Sequence, residues 1–116
     1  MSDAYENFQE GRRRLKKGMP AQATVALEKA KRLEPAKASI REALGIAYFR
    51  LARWQEAEAE FRAVLELSPT DDYAHYALGR VLEKQGREAE ANGHYKLAST
   101  MVPASRQYAA RIRELE

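Results

Sequence analysis

Cysteine is absent from this chain of 116 residues. That excludes disulfides, thiolate nucleophiles and thiolate metal ligands, and it leaves the redox compartment open. Histidine occurs twice, at His75 and His94. They fall on what read as different helices, without the convergent carboxylate or thiolate that a metal site wants, so a structural or surface role is expected. No metal or cofactor is expected either. No apolar run approaches the ~18–20 residues that span a bilayer, and the polar, acidic start of the chain lacks the apolar core of a signal peptide. A soluble, cytoplasmic protein without membrane association is the expectation. Neither sign of charge dominates: 20 Lys and Arg face 17 Asp and Glu, for a net +3. So mild a balance does not by itself imply nucleic acid.

Catalytic groupings are also missing. Ser39, Ser68, Ser99 and Ser105 have no histidine at a suggestive position and no nucleophile-elbow motif. The glycine-flanked basic run from Gly11 to Gly18 lacks the preceding strand and the Gly-Lys-Ser/Thr ending of a phosphate loop. Asp71-Asp72 stands where a helix begins, and carboxylates there favour the helix dipole. An enzyme is not expected.

What the chain does contain is helix. Hydrophobic residues make up 45% and charged residues 32%, and Ala, Leu, Glu, Lys and Arg are the strongest helix formers. The length suits one domain. The first helix is predicted over 4–17, with Gly18 closing it and Pro20 in the first turn of a second, 21–33. Pro35 ends that one, because proline disfavours helical geometry in its predecessor. Helices follow at 37–51 and 55–67, then at 72–85 with Asp71 as N-cap, and at 89–101 after Gly86. Short connections make successive helices antiparallel neighbours.

The pattern repeats at 34 residues. Gly11, Gly45 and Gly79 keep that interval, as do Pro35, Pro69 and Pro103. So do Ala23, Ala57 and Ala91, and so does the large column Leu27, Phe61 and Tyr95. A glycine in each first helix lets two helices approach closely, a small alanine on the partner does the same, and a large side chain fills the space beyond. Self-similarity at this period is the signature of a helix–turn–helix solenoid, and three repeats are about the minimum for stability. In these residues the chain resembles the tetratricopeptide repeats over about 4–103. The resemblance implies an all-α, right-handed α-α superhelix in one domain, 1–116, with repeats at about 4–37, 38–71 and 72–105. A capping helix is expected over about 104–115, with Tyr108, Ile112 and Leu115 on its apolar face. Departures from the family pattern stand at Glu10 and Arg14, polar where it packs apolar residues. Asn7, Arg41 and His75 replace its bulky residue near the start of each repeat.

The resemblance also implies a concave groove lined by the first helix of each pair. Tyr5, Phe8, Arg12 and Lys16 form one stripe at three- and four-residue steps, which Tyr73, Tyr76, Arg80 and Lys84 restate. The middle repeat offers Ile46, Phe49 and Arg50, with Glu42 on the same stripe. Lys16, Arg50 and Lys84 place one cation per repeat. An aromatic and basic groove of this kind is expected to bind a peptide or helix segment of another protein, with acidic and apolar side chains. Co-chaperone members of the family clamp a C-terminal carboxylate with lysine, asparagine and arginine. The matching positions here hold Phe8, Arg12, Ala43, Tyr73 and Ala77, so a clamp of that kind is not expected. The alternatives are nucleic-acid binding through the basic 12–17 segment, whose cations point around the helix, and a self-assembling adaptor. A monomer or weak homo-oligomer of bacterial origin is the expectation by resemblance.

Overall fold

A computed structural model describes residues 3–113 of the chain. Six helices of 13 or 14 residues and one short helix follow in order: α1 (Ala4–Lys16), α2 (Pro20–Leu33), α3 (Ala38–Arg50), α4 (Trp54–Leu67), α5 (Asp72–Lys84), α6 (Glu88–Met101) and α7 (Arg106–Ala109). Each helix packs on its neighbour in sequence, and the stack is 54 Å long and 24 × 21 Å across. The fold is an all-helical helix–turn–helix solenoid, and the described residues include no strand.

Local chemistry explains the helix boundaries. The Asp3 carboxylate accepts from the Glu6 amide at 2.8 Å, and Asp71 accepts from Ala74 at 2.9 Å, so two of the first helices begin on side-chain caps. Pro20 opens α2, where its missing N–H costs nothing. The turn inside each pair is built the same way three times. Met19 donates to Arg14, Arg53 to Tyr48 and Arg87 to Leu82, each a backbone bond of 2.9 Å that closes the first helix. The turn requires a left-handed residue, supplied by Gly18 at φ 72° and Gly86 at φ 77°. In the middle repeat Ala52 takes that conformation, at φ 58°.

The core follows the 34-residue columns. A Cβ placed on Gly11 would lie 2.4 Å from the Leu27 side chain, one on Gly45 2.8 Å from Phe61, and one on Gly79 2.5 Å from Tyr95. Ala23, Ala57 and Ala91 are all but inaccessible, as are Leu27, Phe61 and Tyr95. The columns are thus the contact lines along which α1 meets α2, α3 meets α4 and α5 meets α6.

The polar departures are satisfied rather than idle. Asn7, Arg41 and His75 each bond a carbonyl of the chain leading into their own helix: Asp3, Pro35 and Pro69, at 2.9–3.0 Å. Glu60, 4% exposed, is gripped by Lys31 from α2 at 2.8 Å and by Arg41 from α3 at 3.1 Å, which ties two repeats together. Glu10 holds both Arg13 and Arg14, and Arg14 reaches Gln22 on α2.

The C-terminal stretch, expected as a helix over 104–115, is helical over Arg106–Ala109, and a turn follows at 110–111. Tyr108 is buried, its ring tilted against Tyr76 with centroids 5.0 Å apart, and its hydroxyl donates to Asp72 at 2.6 Å. Beyond the helix, Asn92 on α6 clamps the Arg113 backbone with a pair of hydrogen bonds, both 2.7 Å. Ile112 packs against the core. Leu115 lies outside the described residues.

Candidate functional site

The first helices of the three pairs, α1, α3 and α5, bring most of the sequence-predicted residues to one face. Between α1 and α3 lies a hollow of about 500 Å³ bordered by Phe8, Arg12, Lys16, Glu42, Ile46 and Arg50. Between α3 and α5 lies a second, of about 260 Å³, bordered by Ile46, Phe49, Arg50, Tyr73, Tyr76 and Arg80. Ile46 and Arg50 belong to both, so the two hollows meet across a single ridge on α3. The smaller has the volume of one large side chain.

The residues differ in how free they are. Tyr5 is 67% exposed and borders neither hollow; its hydroxyl accepts from Gln9 at 2.8 Å. Phe8 is half-buried, with the Arg12 guanidinium 5.6 Å above its ring. Lys16 is exposed. Arg50 is also exposed, yet its guanidinium donates to the Leu15 carbonyl at 2.8 Å and so satisfies the C-terminus of α1. Lys84 sits 5.9 Å over the Trp54 ring, Trp54 meets Phe49 edge-on at 5.1 Å, and Arg80 lies 5.2 Å over the other side of the cluster, on Phe49. The cation ladder is therefore uneven. Lys16 makes no ion pair among the described residues, Arg50 spans two repeats, and Lys84 leans on an aromatic wall.

Tyr76 is 5% exposed, packed among Tyr73, Tyr95 and Tyr108, and its hydroxyl accepts from Arg80 and Gln107. Burial alone would raise its pKa, but those donors outweigh it and hold the phenol below its ordinary value. It floors the hollow, while Tyr73, 37% exposed, rims it. Burial, then the nearby Glu42 carboxylate, push the Tyr73 phenol up.

Glu42 is the odd member of the face. Half-buried, it stands against Asp71 and Asp72, and its pKa is raised to about 7 by burial first and by those carboxylates second. Its position on the stripe was legible in the sequence, but its setting was not. The segment 12–17 divides its charge: Arg12 and Lys16 border the hollow, whereas Arg13 and Arg14 pair with Glu10.

A further pair escaped sequence reasoning. His75 and His94 stack at 5.3 Å with their Nδ1 atoms 3.0 Å apart, on the side where α5 meets α6. The His75 Nε2 must donate to the Pro69 carbonyl, so in the neutral pair His75 Nδ1 accepts from His94 Nδ1–H. No third ligating side chain joins them among the described residues.

Comparison with known proteins agrees with this architecture. The family profile described as Tetratricopeptide repeat matches residues 8–72 and 53–106, most of the chain. The chain belongs to the tetratricopeptide repeat family. Mouse superkiller complex protein 3 is 32% identical over 94 residues, which is 78% of this chain and 6% of that protein. The tetratricopeptide chain thus spans only a small part of that relative's length. Among solved structures, the first tetratricopeptide domain of Spaghetti (RPAP3), bound to the HSP90 peptide SRMEEVD, superposes with a TM-score of 0.91 at 20% identity, over 95% of this chain and 87% of that one. YrrB, described as having an unusual peptide-binding site, superposes with a TM-score of 0.91 at 21% identity, over 95% of this chain and 57% of its own.

Proposed function

We propose that this tetratricopeptide protein is a non-enzymatic interaction module that holds a peptide or helix segment of another protein on the α1/α3/α5 face. The observation that carries the reading is the pair of hollows sharing Ile46 and Arg50, apolar within and bordered by Arg12, Lys16, Arg50 and Arg80. An apolar side chain suits the smaller hollow, and carboxylates beside it meet guanidinium or ammonium groups. A preformed face spends little ordering entropy on binding. Structural neighbours bound to chaperone peptides support the class of partner. At the positions where a carboxylate clamp would stand, Ala43 and Ala77 are buried and Arg12 alone is charged, so side-chain recognition rather than terminal-carboxylate capture is proposed.

The test is a binding isotherm with a labelled, end-capped peptide carrying Leu-Phe between short runs of Asp and Glu, and with its Asn/Gln counterpart. Binding of the acidic peptide should weaken about tenfold or more in an Arg12→Glu/Lys16→Glu variant that keeps its helical circular dichroism, since two rim contacts become repulsive. Equal affinity for wild type and variant would sink the basic rim as a recognition element.

A further inference from the structure

Phe8, Glu42 and Tyr76 occupy one column at the 34-residue interval. The outer repeats place a ring there, and the middle repeat places a carboxyl group. We propose that Glu42 is a proton-operated selectivity gate of the face: ionised, it repels an acidic side chain at the middle repeat, and protonated, it admits one. The proposal rests on the groove reading above and adds the group that sets its selectivity.

Three observations carry it. Glu42 borders the larger hollow together with Arg12 and Lys16 of α1 and with Arg50, about two turns along its own helix, so it shares the hollow with the groups assigned to an acidic ligand. The charges that act on it are nevertheless acidic: Asp71 more strongly and Asp72 less, at the start of α5, with Tyr73 also coupled to it. Neither aspartate is free to relieve the repulsion. Asp71 is held by the Ala74 amide at 2.9 Å and Asp72 by the Tyr108 hydroxyl at 2.6 Å, so both stay in place at the start of α5. Burial, followed by Asp71, moves the Glu42 titration to about pH 7.

The consequence is proton-linked recognition. An acidic ligand brings more negative potential to Glu42 and raises its affinity for a proton, so binding takes up a proton and tightens as the pH falls. If a bound carboxylate raises the Glu42 pKa by a further unit, affinity should be roughly fivefold higher at pH 6 than at pH 8. The amide peptide lacks that charge and should show little change.

The experiment measures the affinity of the acidic and amide peptides at pH 6, 7 and 8 for the wild type, Glu42→Gln and Asp71→Asn. A carbon-13 carboxyl titration of Glu42 is run in the free protein. The gate requires a Glu42 midpoint near neutrality that drops in Asp71→Asn, and acidic-peptide affinity that rises on acidification in the wild type. In Glu42→Gln the affinity should stay high and pH-independent. A Glu42 midpoint in the ordinary carboxylate range, or pH dependence that persists in Glu42→Gln, would overturn the gate while leaving the groove standing. Failure of both peptides to bind any of the proteins would remove the groove reading, and the gate with it.

Discussion

A methyl group has opposite consequences at two glycines of the third repeat. At Gly79 it would lie 2.5 Å from the Tyr95 ring, which is 1% exposed and has nowhere to go, whereas at Gly93 on α6 it meets nothing within 4 Å. Overpacking should make Gly79→Ala less stable by about 1–2 kcal/mol net of the helix-propensity gain. Gly93→Ala should gain about 0.5–1 kcal/mol from propensity and reduced unfolded-state entropy. Urea melts of the two variants check the sign. The same reasoning applies to Ala52, whose left-handed conformation is held by glycine in the other two turns. Ala52→Gly should stabilise by up to about 1 kcal/mol. At this scale the sequence is most legible where a contact repeats: Gly11, Gly45 and Gly79 announce their role by period, because one contact recurs at a fixed interval. Asn7, Arg41 and His75 repeat as well, but their partners are loop carbonyls and, for two of them, a side chain on another helix. Periodicity does not encode which polar atoms meet across a stack.

Between elements, two polar devices do what apolar bulk does elsewhere. Glu60 joins α2, α3 and α4 through Lys31 and Arg41. Glu60→Ala should cost about 2–3 kcal/mol, below the full penalty of a broken buried pair because both cations keep access to water. A denaturation midpoint near that of the wild type would show the triad to be ornamental. At the other end, the Asn92 clamp and the Tyr108–Tyr76 ring contact hold the last described residues against α5 and α6. The sequence marks Tyr108 and Ile112 as the packed residues of this stretch but gives it a longer helix. Arg113 is instead engaged through its backbone by Asn92, a contact that no helical periodicity would anticipate. Tyr76 reads in sequence as part of the groove stripe. It floors the hollow from within the core because Tyr108 closes over it, an outcome that depends on where α7 docks.

For the molecule as a whole, two groups give stability opposite slopes with pH. His94 is held below the ordinary imidazole range by burial, then by His75 and Arg62, with Glu90 acting against them. The unfolded chain binds that proton more readily, so the contribution of His94 is present above about pH 6.5 and is lost as the pH falls. Glu42 is raised to about 7, so its folded form favours the proton, and its contribution is lost as the pH rises from the unfolded value through 7. Below about pH 6.5 the two act in opposite directions. Glu42→Gln should therefore make the melting temperature fall on acidification, and His94→Gln should make it rise. Parallel profiles for the two variants would contradict the assignment. The fold itself was readable from three columns of small and large residues. The proposed binding face was readable as a stripe of residue types, but the sharing of Ile46 and Arg50 by two hollows, and the acidic company of Glu42, required side chains placed in space.

The most direct measurement is a nitrogen-15 amide-shift map of the wild-type protein titrated with the end-capped acidic Leu-Phe peptide. Saturable shifts are expected on α1, α3 and α5, strongest around Arg12, Lys16, Ile46, Arg50 and Arg80, with α2, α4 and α6 little changed. Shifts centred on α2, α4 and α6, or none at saturating peptide, would contradict the claim that the α1/α3/α5 face is where this protein meets its partner.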